Sequence, residues 1–234
     1  MTTGTGPTST ADRVVALSRD LRSESSGTAV LQRLVAMLVE EIPGARSAGV
    51  LALDGGELRT PASAGSVARA DGFQQLVGDG PSLTAALDEV VVRSDDLAAE
   101  ERWPEFCPRA VTAGLRSALA LPVPLPTGPG AVALHGTEPR ALDADSEHLA
   151  AGLAAHAAAA VAARDREHLL VAIASRDVIG QAKGILMERY RISAEHAFAV
   201  LRRDSQRSNT KLRLVAERVA RTGELADAVV AHQE

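Results

Sequence analysis

The sequence is short of aromatic side chains, of cysteine and of lysine, and each shortage narrows what the chain can be. Aromatics make up 2% of 234 residues, while 46% are hydrophobic. A core is therefore affordable, but it has to be built mainly from Ala, Val and Leu. One cysteine, Cys107, excludes an intramolecular disulfide and any multi-cysteine zinc site. There is no N-terminal apolar h-region and no long apolar run of membrane type. The nearest candidate, 149–163, is Ala-rich and contains His156. A cytoplasmic protein with no membrane partner is expected. Walker A, GxSxG, GxGxxG and HExxH patterns are all missing. None of His135, His148, His156 and His168 stands four residues from another. No enzyme activity, metal or cofactor is therefore expected.

The lysine shortage is local in an informative way. Of 25 Lys+Arg only two are lysines, Lys183 and Lys211, and both lie within residues 176–221. That stretch holds eleven Lys+Arg against five Asp+Glu, although the whole chain is at −5. A basic module on an acidic protein points to a polyanionic partner. A solvated Arg-rich helical surface explains the composition about equally well. The compact ammonium of lysine suits a phosphate met as a point charge.

Periodicity divides this stretch into three short helices. The first, about 176–190, has an apolar stripe of Ile179, Ala182, Leu186 and Tyr190. Ser193 is placed to cap the second, whose inward stripe is read as Ala194, Ala197, Phe198 and Leu201. Asn209 is read as the cap of the third, with Leu212, Val215, Ala216 and Val219 facing inward. None is stable alone at such a length, so they must cover one another.

The run Val178-Ile179-Gly180-Gln181-Ala182-Lys183-Gly184-Ile185-Leu186-Met187 resembles the opening of an ANTAR domain. Ala197-Phe198, Leu201-Arg202, Ser205-Gln206 and Asn209-x-Lys211-Leu212 continue that pattern in order and at matching spacing. Gly180 stands where the family usually carries an acidic residue. The resemblance implies a three-helix RNA-binding module of transcription antitermination regulators, which capture paired small-loop hairpins in nascent transcripts. The RNA-binding residues expected on this basis are Lys183, Gly184, Arg203, Arg207, Asn209, Lys211 and Arg218. The alternative is a DNA-binding factor using the same basic helices. Against it, Lys211, Arg213, Arg218 and Arg221 on helix three supply charge rather than a base-reading set. Tyr190 could stack on a base, but its place on the apolar stripe makes a core role the expectation.

N-terminal to this module the pattern differs. Residues 1–10 read as a disordered tail, and 11–22 and 28–42 as helices, the second ended by Pro43-Gly44. Strands are expected at 47–53, 57–62, 89–93, 116–123 and 130–135, the last two separated by the loop 124–129, with a short helix or turn at 72–77 and a short helix at 106–113. Strands in mostly antiparallel order with helices before and after make an α+β fold. Cys107, between Phe106 and Pro108, reads as a small buried hydrophobe. Asp95, Asp96, Glu100 and Glu101 read as a helix N-terminus, and Trp103 as core.

Gly78-Asp79-Gly80-Pro81, Asp96-Leu97, Arg102-Trp103-Pro104 and Gly114-Leu115-Arg116-Ser117 are similar to local marks of GAF domains, as found in GAF–ANTAR proteins. The family commonly has a cysteine and an aspartate where this chain has Ser82 and Thr84. The resemblance implies a sensor half that takes an unidentified small ligand. It would not bind a cyclic nucleotide through the family's Asn-Lys…Phe…Asp-Glu signature, because no lysine precedes Lys183. The expected organisation is a GAF-like antiparallel sheet with flanking helices over 11–163, a helical linker at 164–175, a three-helix ANTAR module at 176–222 and a tail at 223–234.

Between Asp143 and Tyr190 there is no proline. A continuous helix there would be roughly 70 Å long, more than one such domain can cover. Its middle is dense in alanine, which lets helices approach closely. A homodimer through about 145–175 is expected, against the simpler reading of a helix folded back on the sheet with a break before 176.

Overall fold

The computed structural model describes residues 9–65 and 70–225. The expected tails 1–10 and 223–234 lie outside the described residues over 1–8 and 226–234. The chain divides into two compact units, meeting between Asp165 and Arg166.

The first unit opens with α1 (Thr10–Ser23) and α2 (Gly27–Glu41). Ser9 and Ser26 cap them through backbone N–H groups of Asp12 and Ala29. A five-stranded sheet follows, built from β1 (Ser47–Asp54), β2 (Glu57–Gly65), β3 (Val92–Ser94), β4 (Ser117–Leu125) and β5 (Gly128–Gly136). Its order is β2-β1-β5-β4-β3, and every pairing is antiparallel. Between β2 and β4 lie α3 (Ala70–Val77), α4 (Pro81–Asp88) and α5 (Phe106–Thr112). The long α6 (Ala144–Tyr190) begins in this unit. Asp143 opens α6 by accepting from the Ser146 backbone N–H at 2.9 Å.

Both faces of the sheet are covered, and the period-two alternation of each strand assigns its side chains. Ala48, Val50, Leu119, Leu121, Val132 and Leu134 meet α1, α2 and the start of α6 in one cluster. Leu51, Ala118, Ala120, Ala131 and Ala133 meet α4 and α5 in another. The alanines on this second face keep the sheet surface flat, so α4 lies close over β4 and β5.

Several sequence expectations need correction. The strand read at 89–93 begins only at Val92, because Glu89 closes α4 in a left-handed conformation (φ 55°). Helix α4 itself was not read from the sequence. The loop read at 124–129 is a tight hairpin turn with Leu125 facing Gly128. Pro122 and Pro124 fit into β4 because β3 pairs only with Ala118–Ala120, which leaves the rest of that edge free. The alanine-dense part of α6 packs on its own unit: Leu149, Ala150, Leu153, Ala154, Ala157 and Val161 are buried in the first cluster. Gly152 is what allows this, since a Cβ there would lie 2.6 Å from Val14 of α1. Arg164 donates to the Glu24 and Arg22 carbonyls, both at 3.0 Å. The folded-back reading is thus right for 149–161, but α6 has no break before 176.

Beyond Arg166 the second unit contains the rest of α6, then α7 (Ala194–Arg207) and α8 (Leu212–Thr222). Ala182, Leu186, Ala197, Leu201, Val215, Ala216 and Val219 are its buried centre. Each came from one of the three stripes read in the sequence. Among the described residues no helix is long and apolar enough to cross a membrane.

Candidate nucleic-acid interface

The second unit places its charged groups around that small core. Ser193 caps α7, accepting from the His196 backbone N–H at 3.3 Å. Asn209 does not cap α8. Lys211 occupies the cap position without a side-chain bond, and Asn209 lies two residues earlier in the left-handed region (φ 47°). Asparagine tolerates that conformation better than most residues, which gives it a turn role instead. Ser205 Oγ donates to the Thr210 carbonyl at 2.6 Å and closes the turn.

The expected RNA-binding cations separate into two groups. Arg207 and Arg218 are tied to the carboxylate of Asp204, Arg207 at 3.2 Å. Asp204 is fully buried, so these arginines are largely committed to holding α7 and α8 together. The side chains of Lys183, Arg203 and Lys211 make no ion pair or hydrogen bond among the described residues, and neither does that of Arg202. Arg213 pairs with Glu217 one turn on, at 2.6 Å. Arg189 donates to the Gly223 carbonyl, also at 2.6 Å.

Lys183 is half-buried at the edge of the α6 stripe. Its charge acts on Glu195, whose carboxyl is held below the usual range. The causes are its own backbone N–H, then the Ser193 hydroxyl, then the charges of Lys183 and His196. Gly184 is exposed, and a Cβ on it would meet nothing within 4 Å; the same is true of Gly180. Helix three therefore does not approach Gly184. Tyr190 packs against the three-helix cluster, whereas Phe198, read as inward-facing, is 39% exposed.

In the first unit the residues at the two altered family positions are structural. Gln74 of α3, fully buried, supplies the cap that Gly80 cannot give α4. Its Oε1 accepts from the backbone N–H groups of Ser82 (2.8 Å) and Leu83 (3.3 Å), and its Nε2 donates to Ser82 Oγ at 2.8 Å. Thr84 Oγ1 accepts from the indole N–H of Trp103 at 2.9 Å. Trp103 is buried, with the Arg102 guanidinium 4.4 Å from its ring centre. Cys107 is buried too, and burial followed by the Glu100 and Asp79 charges pushes its thiol up to about 11.

The acidic run does not start a helix. Asp96 accepts from the Ala98 backbone N–H and pairs with Arg116, which together lower its pKa. Glu100, held at about 2 chiefly by Arg102, pairs with it at 2.6 Å. Asp96, Glu100 and Arg102, with Arg93, Ser94 and Glu147, line an open cavity of about 620 Å³. Among the described residues no group of three or more His, Cys, Asp or Glu is placed to hold a metal ion.

The first unit, with its helices on both faces of a 2-1-5-4-3 antiparallel sheet, defines an α+β sensor-type fold joined to a separate three-helix module. Its fold is shared by the GAF domain of a Coxiella burnetii phosphoenolpyruvate-protein phosphotransferase (17% identity, 70% of this chain and 99% of that one, TM-score 0.57). An Acinetobacter phosphoenolpyruvate-protein phosphotransferase GAF domain is similar (17%, 68% and 96%, 0.54). So is a free methionine-R-sulfoxide reductase from Neisseria meningitidis, solved in complex with its substrate (16%, 71% and 96%, 0.54). At these identities the likeness concerns the fold alone. No curated protein matches the chain. The GAF domain family matches residues 24–162 and the ANTAR domain family residues 167–219. The chain belongs to the GAF family and carries a C-terminal ANTAR domain, the make-up of a signal-sensing ANTAR regulator.

Proposed function

We propose that this chain is an RNA-binding regulator that captures paired hairpins in nascent transcripts and promotes transcription antitermination in response to a signal at its GAF domain. The observation that carries the reading is the unpaired set Lys183, Arg203 and Lys211 on an ANTAR module whose charge opposes that of the whole chain. Gly184 supports it. A mid-helix glycine costs about 1 kcal/mol against alanine, and among the described residues no group lies within 4 Å of where its Cβ would be. A nucleic-acid backbone against the helix is a use for that space. The deep major groove of A-form RNA is closed to side chains, so loops and phosphates are the surfaces such a module can grip.

The protein acts as a homodimer in this reading, with a seam in α6 beyond the first unit. Leu169, Leu170 and Ile173 share one helical face and are all more than half exposed. The signal is a small ligand of unidentified chemistry at the GAF domain.

The test is a binding titration of the full chain against a two-hairpin leader RNA, with duplex DNA of equal length as control. RNA should bind more tightly, and Lys183→Ala should weaken it. Equal or tighter binding to DNA would overturn the RNA reading in favour of a DNA-binding factor. Gly184→Ala separates the two roles of the glycine: helix stability should rise while RNA affinity falls.

A further inference from the structure

The sequence has few aromatic side chains, and the second unit holds two, Tyr190 and Phe198. Tyr190 packs against the buried cluster, while Phe198 keeps 39% of its surface exposed. On α7, Phe198 lies one turn after Glu195 and one turn before Arg202, because residues three and four apart share a helix face. Asp204 lies on the other flank, towards Arg218 of α8. Lys183 follows Ala182 on α6 and Phe198 follows Ala197 on α7, and both alanines belong to the one buried cluster that joins these helices; Met187 lies one turn beyond Lys183, and the Lys183 charge also acts on Glu195. Met187 is itself 37% exposed. The result is a part-exposed ring with Glu195 and Arg202 one turn away on either side along α7 and Lys183 on the neighbouring helix, and neither cation's side chain has an ion pair among the described residues.

An apolar ring with Arg202 on its own helix face and Lys183 on the neighbouring helix fits a partner that offers flat apolar faces and negative charge at regular spacing, which is the chemistry of a nucleic-acid strand. Bases stack on aromatic side chains when they are unpaired, and such stacking tolerates any base because each has a π-face. Arg202 and Lys183 supply the charge for the flanking phosphates, the first as a planar fork and the second as a point charge. Neither would help a ring that docked into an apolar protein groove.

We propose that Phe198 is the platform on which an unpaired loop base of the bound RNA stacks, with Lys183 and Arg202 holding the phosphates on either side. This rests on the RNA-binding reading above and adds a contact whose strength depends on the loop being single-stranded.

The experiment uses the full chain and three RNA probes: a pool of stem–loops with randomised loops, the same stems with abasic loops, and the stems closed as uninterrupted duplex. Phe198→Leu should bind the stem–loop pool about ten- to a hundredfold more weakly than wild type, the range expected for losing one or two stacked bases. Phe198→Tyr should restore binding. The weakening should disappear with abasic loops, and the log–log salt slope should stay unchanged. Arg202→Ala should instead reduce that slope by about one. Phe198→Leu keeps an apolar side chain at a position that is 39% exposed, so its thermal midpoint should fall by little, and full retention of binding to abasic loops separates this effect from misfolding. Wild-type protein that binds none of the probes would remove the RNA reading itself. Wild-type binding with Phe198→Leu unaffected would overturn the platform alone, and so would an equal loss on looped, abasic and duplex probes.

Discussion

The Arg218 guanidinium donates to the carboxylate of Asp204, which is wholly buried between α7 and α8 and receives Arg207 as well. One acid thus removes two cations from the basic surface and uses them to fasten two helices that would not be stable alone.

Asp204→Ala should act in two directions. Losing a buried charge-assisted bond costs about 1–3 kcal/mol, and the loss should appear as reduced amide-exchange protection in α7 and α8. Releasing Arg207 and Arg218 should meanwhile steepen the salt dependence of RNA binding by about one to two log–log units. Unchanged protection in α7 and α8 would show that the pair does not hold the helices.

A charge in the exposed apolar face of α6 tests the dimer. Leu170→Arg or Ile173→Arg should give a monomer by sedimentation equilibrium at micromolar concentration, where wild type gives a dimer. Ala159→Arg should leave the dimer intact, since exposed Ala159 lies about 15 Å along α6 from the Leu169–Ile173 face. Dissociation by Ala159→Arg but not by Ile173→Arg would move the seam back to the alanine-dense segment.

What could be read from the sequence followed from local rules. Stripes at helical spacing located Ala182, Leu186, Leu201 and Val215, and a serine before a periodic run located the α7 cap. The failures share a different origin. The pairing of Asp204 with Arg218 spans fourteen residues, and spacing cannot show that two outward-looking arginines converge on one carboxylate. Phe198 sits on the border of its stripe, where type alone argues for burial and only the packing of the neighbouring helices decides. Helix α4 lacks a side-chain cap of its own, because its cap comes from Gln74 on another helix. The alanines of α6 have the small size that suits a dimer seam, but they equally suit close packing on α1 and α2. The RNA-binding roles of Lys183, Gly184, Arg203 and Lys211 were legible only through the family resemblance and stand as proposals.

Gln74→Leu should destabilise the GAF domain although it keeps size and burial. The Ser82 and Leu83 N–H groups would lose their acceptor, and Ser82 Oγ its donor. An unsatisfied buried group costs about 1–3 kcal/mol, measured as a lower urea midpoint for the unfolding of this domain. Faster amide exchange at Ser82 and Leu83 should accompany it. A variant as stable as wild type would mean that the α4 N-terminus does not depend on Gln74.

Acid sensitivity should be traceable to His135. It lies on β5 directly opposite Ser47 of β1 and Ala118 of β4, on the face that meets α4 and α5, and it is fully buried with Nε2 unpartnered. Burial pushes its pKa from 6.5 down to about 4. Above pH 6.5 the imidazole is neutral in both folded and unfolded chains, and its full contribution to stability is present. As pH falls below 6.5 the unfolded chain takes up a proton that the folded chain refuses, so stability declines towards pH 4. Each unit of separation is worth about 1.4 kcal/mol, which makes the whole loss about 3 kcal/mol. Most of this window lies above the range where Asp96, Glu100 and Asp143 titrate, since their pKa values are lowered. His135→Leu should therefore flatten the decline in unfolding free energy between pH 6.5 and 4.5, with little change in the pH dependence above 7. Parallel pH profiles for the variant and wild type would show that the decline comes from other groups.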